Sequence, residues 1–241
     1  IFHLAAQAGV RASWGKDFSI YTGNNIYATQ RVLEAAKGEG VRNSLKKVVY
    51  ASSSSVYGHA ETLPTVETLL PKPISPYGVS KLAAEHLMVL YSKEFGVPTA
   101  SVRYFTVYGP RQRPDMAFHR FIRAGLKGET LRVFGDGEQS RDFTFISDAV
   151  AATIAAASAE EEALVCNIGG GSRVTVNEVL SMIGDILGEK LKVEHQEREK
   201  GDARHTGADT TKAREALGYN PKVGLRDGLT AEASWLREMI A

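Results

Sequence analysis

One cysteine in 241 residues leaves no partner for an intrachain disulfide. Cys166 lies in the apolar run "LVCNIG" and reads as a small core residue rather than a nucleophile. Charge of one sign is lacking too: the formal net charge is +1, whereas binders of polyanions gather a basic excess on one face. Nucleic acid is thereby excluded as the main partner. No apolar run approaches the roughly 20 residues that span a bilayer, and no basic segment leads into an apolar stretch of signal-peptide kind. No His, Cys and Asp residues have zinc-ligand spacing, and G-x-S-x-G, the serine-hydrolase elbow, is absent. These absences give the expectation of a soluble cytoplasmic protein with no metal, no nucleic acid and no membrane.

Glycine is not scarce, yet one glycine pattern is missing. A dinucleotide needs a Gly-rich turn between the first strand and first helix, with its pyrophosphate on the helix N-terminus. "GGGS" at 169–172 comes late and has the wrong spacing for G-x-x-G-x-x-G. The chain opens on "IFHLAA", which already reads as a buried strand and turn, whereas domain boundaries fall in exposed polar segments. The expectation is a protein entered part-way through its fold, with the phosphate turn outside the chain.

What is present is a core and an alternation. Hydrophobic residues make up 43%, too many for disorder. Strands are expected at 1–5, 46–52 and 99–104, and helices at 17–37 and 76–95, with a proline-rich loop over 63–74. Such alternation signals a parallel sheet with helices on both faces. Beyond it come a helix at 116–127, short strands at 131–134 and 143–146, and an alanine-rich helix at 147–158. A strand at 164–168 and helices at 176–187 and 227–239 complete the chain. The reading is an α/β protein with two parts. Residues 1–105 form a partial, Rossmann-like, doubly wound parallel sheet, and 106–241 mainly a smaller substrate-binding lobe, with some segments returning to the sheet.

Ligands of open parallel sheets bind at the carboxyl ends of the strands. "HLAAQAG", "SSSS" at 52–55 and "YFTVYGPRQRPD" stand at three such ends. The next helix begins "SPYGVSK", in which Ser75 suits an N-cap and Pro76 the first helical position. Tyr77 falls in the first turn, with Lys81 four residues on and on the same face. A neighbouring ammonium and the positive end of a helix each favour phenolate, which would make Tyr77 a general base. Alone, Y-x-x-x-K occurs often by chance and reads rather as a packed tyrosine with a surface lysine.

It is not alone. "HLAAQAGV", "NN" at 24–25, "ASSSSVYG", "SPYGVSK", "RYFTVYGPRQRPDMA", "GDGEQSRDF" and "GDARH" occur in order along nearly the whole chain. As a set they resemble the extended short-chain dehydrogenase/reductase family, the NAD-dependent nucleotide-sugar epimerases and dehydratases. The resemblance implies that Ser53, Tyr77 and Lys81 are catalytic. Tyr77 takes the proton from the sugar 4-hydroxyl while hydride passes to NAD, and Ser53 hydrogen-bonds the reacting oxygen. Lys81 lowers the tyrosine pKa and bonds the nicotinamide ribose. It further implies NAD contacts from His3, Leu4, Ala5, Ala6, Asn24, Ser52, Tyr77, Lys81 and Tyr104. UDP-sugar contacts would come from Ser53, Tyr77, Phe105, Thr106, Ala117, Phe118, Arg141 and Arg204, the two arginines gripping the diphosphate.

Family members that eliminate water carry Asp and Glu where this chain has Ser54 and Ser55, so epimerisation is favoured. The resemblance places 4-epimerisation of UDP-glucose and UDP-galactose first. Thr106, where glucose/galactose epimerases commonly carry Asn, and "FTVYGP…RPDMA" keep UDP-glucuronate 4-epimerase open. A nucleotide-sugar-binding fragment without activity is a further alternative. A homodimer through the helices 17–37 and 76–95 is also implied, burying Leu87, Leu90 or Tyr91 in a four-helix bundle.

Overall fold

The structure, a computed structural model, describes residues 1–197 and 200–240. Four parallel strands, Phe2–His3, Val48–Ser53, Thr99–Tyr104 and Leu164–Ile168, lie side by side in that order. The register pairs Val48 with Thr99 and Ser53 with Tyr104, so the serine row and the end of "RYF" finish together. Alternate residues of a strand face opposite sides, and helices cover both. That is why the strand cores at 48–51 and 164–166 read as apolar runs. Val48 and Tyr50 pack with Leu33, Ala84 and Met88 on one side. Val49, Val102, Leu164 and Cys166 pack with Ala152, Ala156 and Ala213 on the other. Burial pushes the Cys166 thiol up to about 12, which keeps it protonated and inert.

The helix Pro76–Phe95 follows the signals in its sequence. Ser75 Oγ accepts the Gly78 amide at 3.1 Å, Pro76 opens the first turn, and Gly96 closes the last in the left-handed region. The helix expected over 17–37 is not continuous. Phe18–Tyr21 and Ala28–Ala36 are α-helical, and Thr22–Tyr27 between them is a π-helical turn. Such turns re-aim side chains and concentrate at functional sites. Here Asn25 is buried and Asn24 is exposed.

A second core lies beyond the sheet. Helices Ala117–Leu126, Val176–Leu187 and Leu225–Ile240 pack together through Phe118, Ile122, Val179, Ile183, Leu229 and Leu236. The strand Thr130–Phe134 pairs in parallel with Lys192–Gln196, whose polar sequence "KVEHQ" gives no strand signal. The strand expected at 143–146 is reduced to Thr144–Phe145, because Ile146 starts the following helix. The short helix Thr211–Leu217 returns to the sheet through Ala213. The "GGG" run is a packing loop. A Cβ on Gly170 would lie 1.9 Å from the Phe143 carbonyl oxygen, and the Gly170 amide donates to Asp142 at 2.7 Å.

Candidate active site

The row of hydroxyls is built by a cap. Ser53 ends its strand in an extended conformation, and its Oγ accepts the Ser55 amide at 3.1 Å, opening a short 3-10 turn over Ser54–Val56. Against this turn lies the start of the helix Pro76–Phe95. Gly78 permits the approach: a Cβ there would sit 2.6 Å from the Ser55 carbonyl oxygen. The result places Ser53 and Tyr77 on facing elements, where the serine hydroxyl lowers the phenol's pKa. The Tyr21 ring stands edge-on to Tyr77, with centroids 6.3 Å apart.

Burial pushes the Tyr77 phenol above its ordinary pKa, while the Ser53 hydrogen bond and the Arg113 charge pull it down. This differs from the expectation that Lys81 holds the phenol low. The Lys81 ammonium lies 4.7 Å over the Tyr50 ring and 6.0 Å from the centre of the Tyr77 ring. Lys81 is 3% exposed, and desolvation lowers its pKa to about 8. Its charge is costly where it stands, and a neutral ring receives it. Among the described residues the ammonium makes ring contacts and no hydrogen bond or ion pair. A buried donor group of this kind, at the carboxyl end of the sheet, fits the ribose hydroxyls of a dinucleotide.

His3 is buried beside this site. Its Nε2 is 2.9 Å from Thr29 Oγ1, whose own proton goes to the Asn25 carbonyl, so the imidazole donates. Burial and the Lys81 charge lower its pKa. Leu4, Ala5 and Ala6 are exposed on the loop that follows. Asn25 pins this loop, taking the Gln7 amide on Oδ1 at 2.7 Å and giving Nδ2 to the Gln7 carbonyl and Ser80 Oγ.

Several expected contacts point elsewhere. Asn24 faces outward, and the π turn aims Asn25 inward in its stead. The Ser52 hydroxyl donates to Glu85 Oε2 at 2.7 Å, inside the protein. Tyr104 faces the opposite side of the sheet, with its hydroxyl on Thr153. Phe105 is buried with Val56 and Tyr57, and Phe118 belongs to the second core. Strand periodicity gives the Ser52, Tyr104 and Phe105 side chains to the interior, leaving only their backbone at the strand ends. Thr106 is half-buried and Ala117 exposed.

In the second lobe the Arg141 side chain meets the Arg204 backbone. Arg141 Nη1 donates to the Arg204 carbonyl at 3.0 Å and to the Ser140 carbonyl at 2.9 Å. Arg204 pairs with exposed Asp136 at 2.8 Å. Arg113 was not singled out from the sequence. Its charge reaches Tyr77 although its guanidinium is held by Asp115 through two hydrogen bonds of 2.9 and 3.0 Å. Arg111, two residues earlier, has φ of 70°, a left-handed conformation uncommon outside glycine, in the same loop as Arg113. The signal available in the sequence was a cation three residues past "YGP" at a strand end.

The family model for the NAD dependent epimerase/dehydratase family matches residues 1–169. A relative from Bacillus subtilis (strain 168), described as an uncharacterized UDP-glucose epimerase, YtcB, is 46% identical across 99% of this chain and 74% of its own length. Among solved structures, the UDP-glucuronic acid 4-epimerase of Bacillus cereus, in complex with UDP-glucuronic acid and NAD, is 46% identical with a TM-score of 0.93. That match covers 98% of this chain and 74% of the other. The UDP-glucose 4-epimerase of Thermotoga maritima, with UDP-glucose, is 34% identical with a TM-score of 0.92, over 100% of this chain and 77% of the other.

Proposed function

Because this chain belongs to the NAD-dependent epimerase/dehydratase family, we propose that it is a UDP-sugar 4-epimerase whose preferred sugar is glucuronate. The observation that supports the reaction is the close approach of the turn that follows Ser53 to the first turn of the helix that carries Tyr77, beside buried Lys81. Tyr77 removes the proton from the sugar 4-hydroxyl and later returns it. Ser53 donates a hydrogen bond to the same oxygen and so stabilises the charge that develops there. Bound NAD would supply reversible hydride transfer at C4, with no net oxidation. Lys81 would hold its nicotinamide ribose. The turn for its pyrophosphate is not among the motifs of this sequence. Arg141 and Arg204 suit the substrate diphosphate, since guanidinium matches phosphate oxygens in pairs.

For the sugar, Arg113 supports glucuronate. A C6 carboxylate would gain a cation whose charge acts on Tyr77, in competition with Asp115, and Ser54 and Ser55 add hydroxyl donors. A neutral hydroxymethyl group gains none of this charge pairing. UDP-glucose with UDP-galactose, first from the sequence, becomes the second reading, supported by the description of the 46% identical Bacillus subtilis relative. The test is an NMR assay with NAD added and UDP-glucuronate, UDP-glucose and UDP-galactose compared. Turnover of UDP-glucuronate alone is expected. Turnover restricted to the neutral pair would reverse the order, and no turnover of any would remove the reading.

A further inference from the structure

We infer that Glu85 is a positioning residue that holds the tyrosine helix in register with the serine strand. The inference rests on the epimerase reading for its catalytic consequence, but its geometry is independent of the substrate. Tyr77, Lys81 and Glu85 follow one another at intervals of four along the helix Pro76–Phe95, so they share one face. Glu85 therefore lies on the same ridge as the two reacting side chains, one turn deeper.

Its carboxylate gathers donors from two strands. Ser52 Oγ donates to Oε2 at 2.7 Å, and Arg103 donates through Nε to Oε2 at 3.0 Å and through Nη2 to Oε1. Ser52 is the residue before Ser53, so the strand-side bond acts next to the catalytic hydroxyl. Arg103 continues outward. Its Nη1 donates to the Tyr57 hydroxyl at 2.6 Å, which donates to Asn167 Oδ1 at 2.7 Å on the fourth strand. One chain of bonds thus ties the helix to three of the four strands just below their carboxyl ends.

The fold does not require charge here. The side chains of Glu85 and Arg103 are each 5% exposed, and a buried ion pair is often replaced by apolar residues with no loss of stability. The other face of the same strands is filled by valine, alanine and cysteine. Apolar contacts are non-directional and let a helix slide. Charged hydrogen bonds are short and angular, and proton transfer between Tyr77 and a substrate oxygen tolerates misplacement of only about 0.5 Å. What the pair supplies is direction.

The test replaces the pair together, Glu85→Leu with Arg103→Met, so that no buried charge is left alone. Three quantities are read on the whole chain with NAD: kcat and KM for UDP-glucuronate, the melting temperature, and the titration of the Tyr77 phenol by carbon NMR, assigned through Tyr77→Phe. Melting should be retained and KM little changed, while kcat falls by about 10- to 100-fold. The Tyr77 phenol should titrate at higher pH, because the Ser53 hydrogen bond that lowers it is loosened. Unchanged kcat with unchanged titration overturns the inference, as does a loss confined to stability. Should the double variant not fold, Ser52→Ala removes the strand side alone and leaves Glu85 paired with Arg103. It should shift both kcat and the titration in the same directions, and no shift in either is fatal. If the unaltered chain epimerises none of the three UDP-sugars, the functional reading fails, and the Tyr77 titration still decides the positioning role.

Discussion

The Lys81 ammonium rests 4.7 Å over the face of Tyr50, whose buried hydroxyl makes no hydrogen bond among the described residues. Two costly groups thus stand together where the sheet meets the tyrosine helix. Lys81 has a folded-state pKa lowered from 10.5 to about 8, so between those values the unfolded chain binds more protons than the folded one. Stability should therefore rise as pH climbs through that window. Lys81→Met should be more stable than the unaltered protein at pH 7, by about 2–3 kcal/mol. The gain should shrink toward pH 10.5 in urea titrations made at stepped pH. A gain that is constant with pH would mean that Lys81 keeps its proton throughout.

Tyr77→Phe should abolish 4-epimerisation while UDP-sugar binding, measured by calorimetry, changes little. The phenol supplies proton transfer, and affinity comes from the diphosphate contacts. Epimerisation by this variant at the parental rate would remove Tyr77 from the mechanism.

Arg141→Ala should do the reverse. It should raise KM more than it lowers kcat, the mark of binding that is equal in ground and transition states. A drop in kcat at constant KM would place Arg141 in the chemical step.

Gly78→Ala isolates the contact between helix and serine turn. Alanine is favoured over glycine in a helix by about 1 kcal/mol, yet its Cβ would meet the Ser55 carbonyl oxygen at 2.6 Å. The helix start must retreat, with a net loss of about 1–3 kcal/mol, the cost typical of overpacking. The rate should fall with it. A variant that is stabilised and fully active would show that the turn yields freely.

The exposed faces of the paired helices should bring two copies together. Ile20, Tyr27, Val79 and Leu90 are all at least 45% exposed on them. Tyr91 does not take part as expected, because its ring is buried within the protomer and its hydroxyl bonds Glu34 and Gln30. A dimer is expected by light scattering, and Leu90→Arg should give a monomer. A monomer without the substitution would exclude this interface.

The sequence by itself determined the elements whose signals are local. Ser75, Pro76 and Gly96 bound the tyrosine helix, the apolar run at 48–51 marks a strand buried on both faces, and four-residue spacing unites Tyr77 with Lys81. Cys166 was legible as core from its neighbours alone. What tertiary structure decided is where side chains go once two elements meet. Ser52 and Ser53 are adjacent and chemically identical, yet one turns inward to Glu85 and the other meets Tyr77. Asn24 and Asn25 are separated in the same way by a π turn that no propensity announces. Tyr77 carries the sharpest case. Its neighbours along the helix favour phenolate, but the burial imposed by strands and loops from elsewhere in the chain outweighs them. Desolvation depends on everything that surrounds a group, and that sum exists only when distant segments have packed.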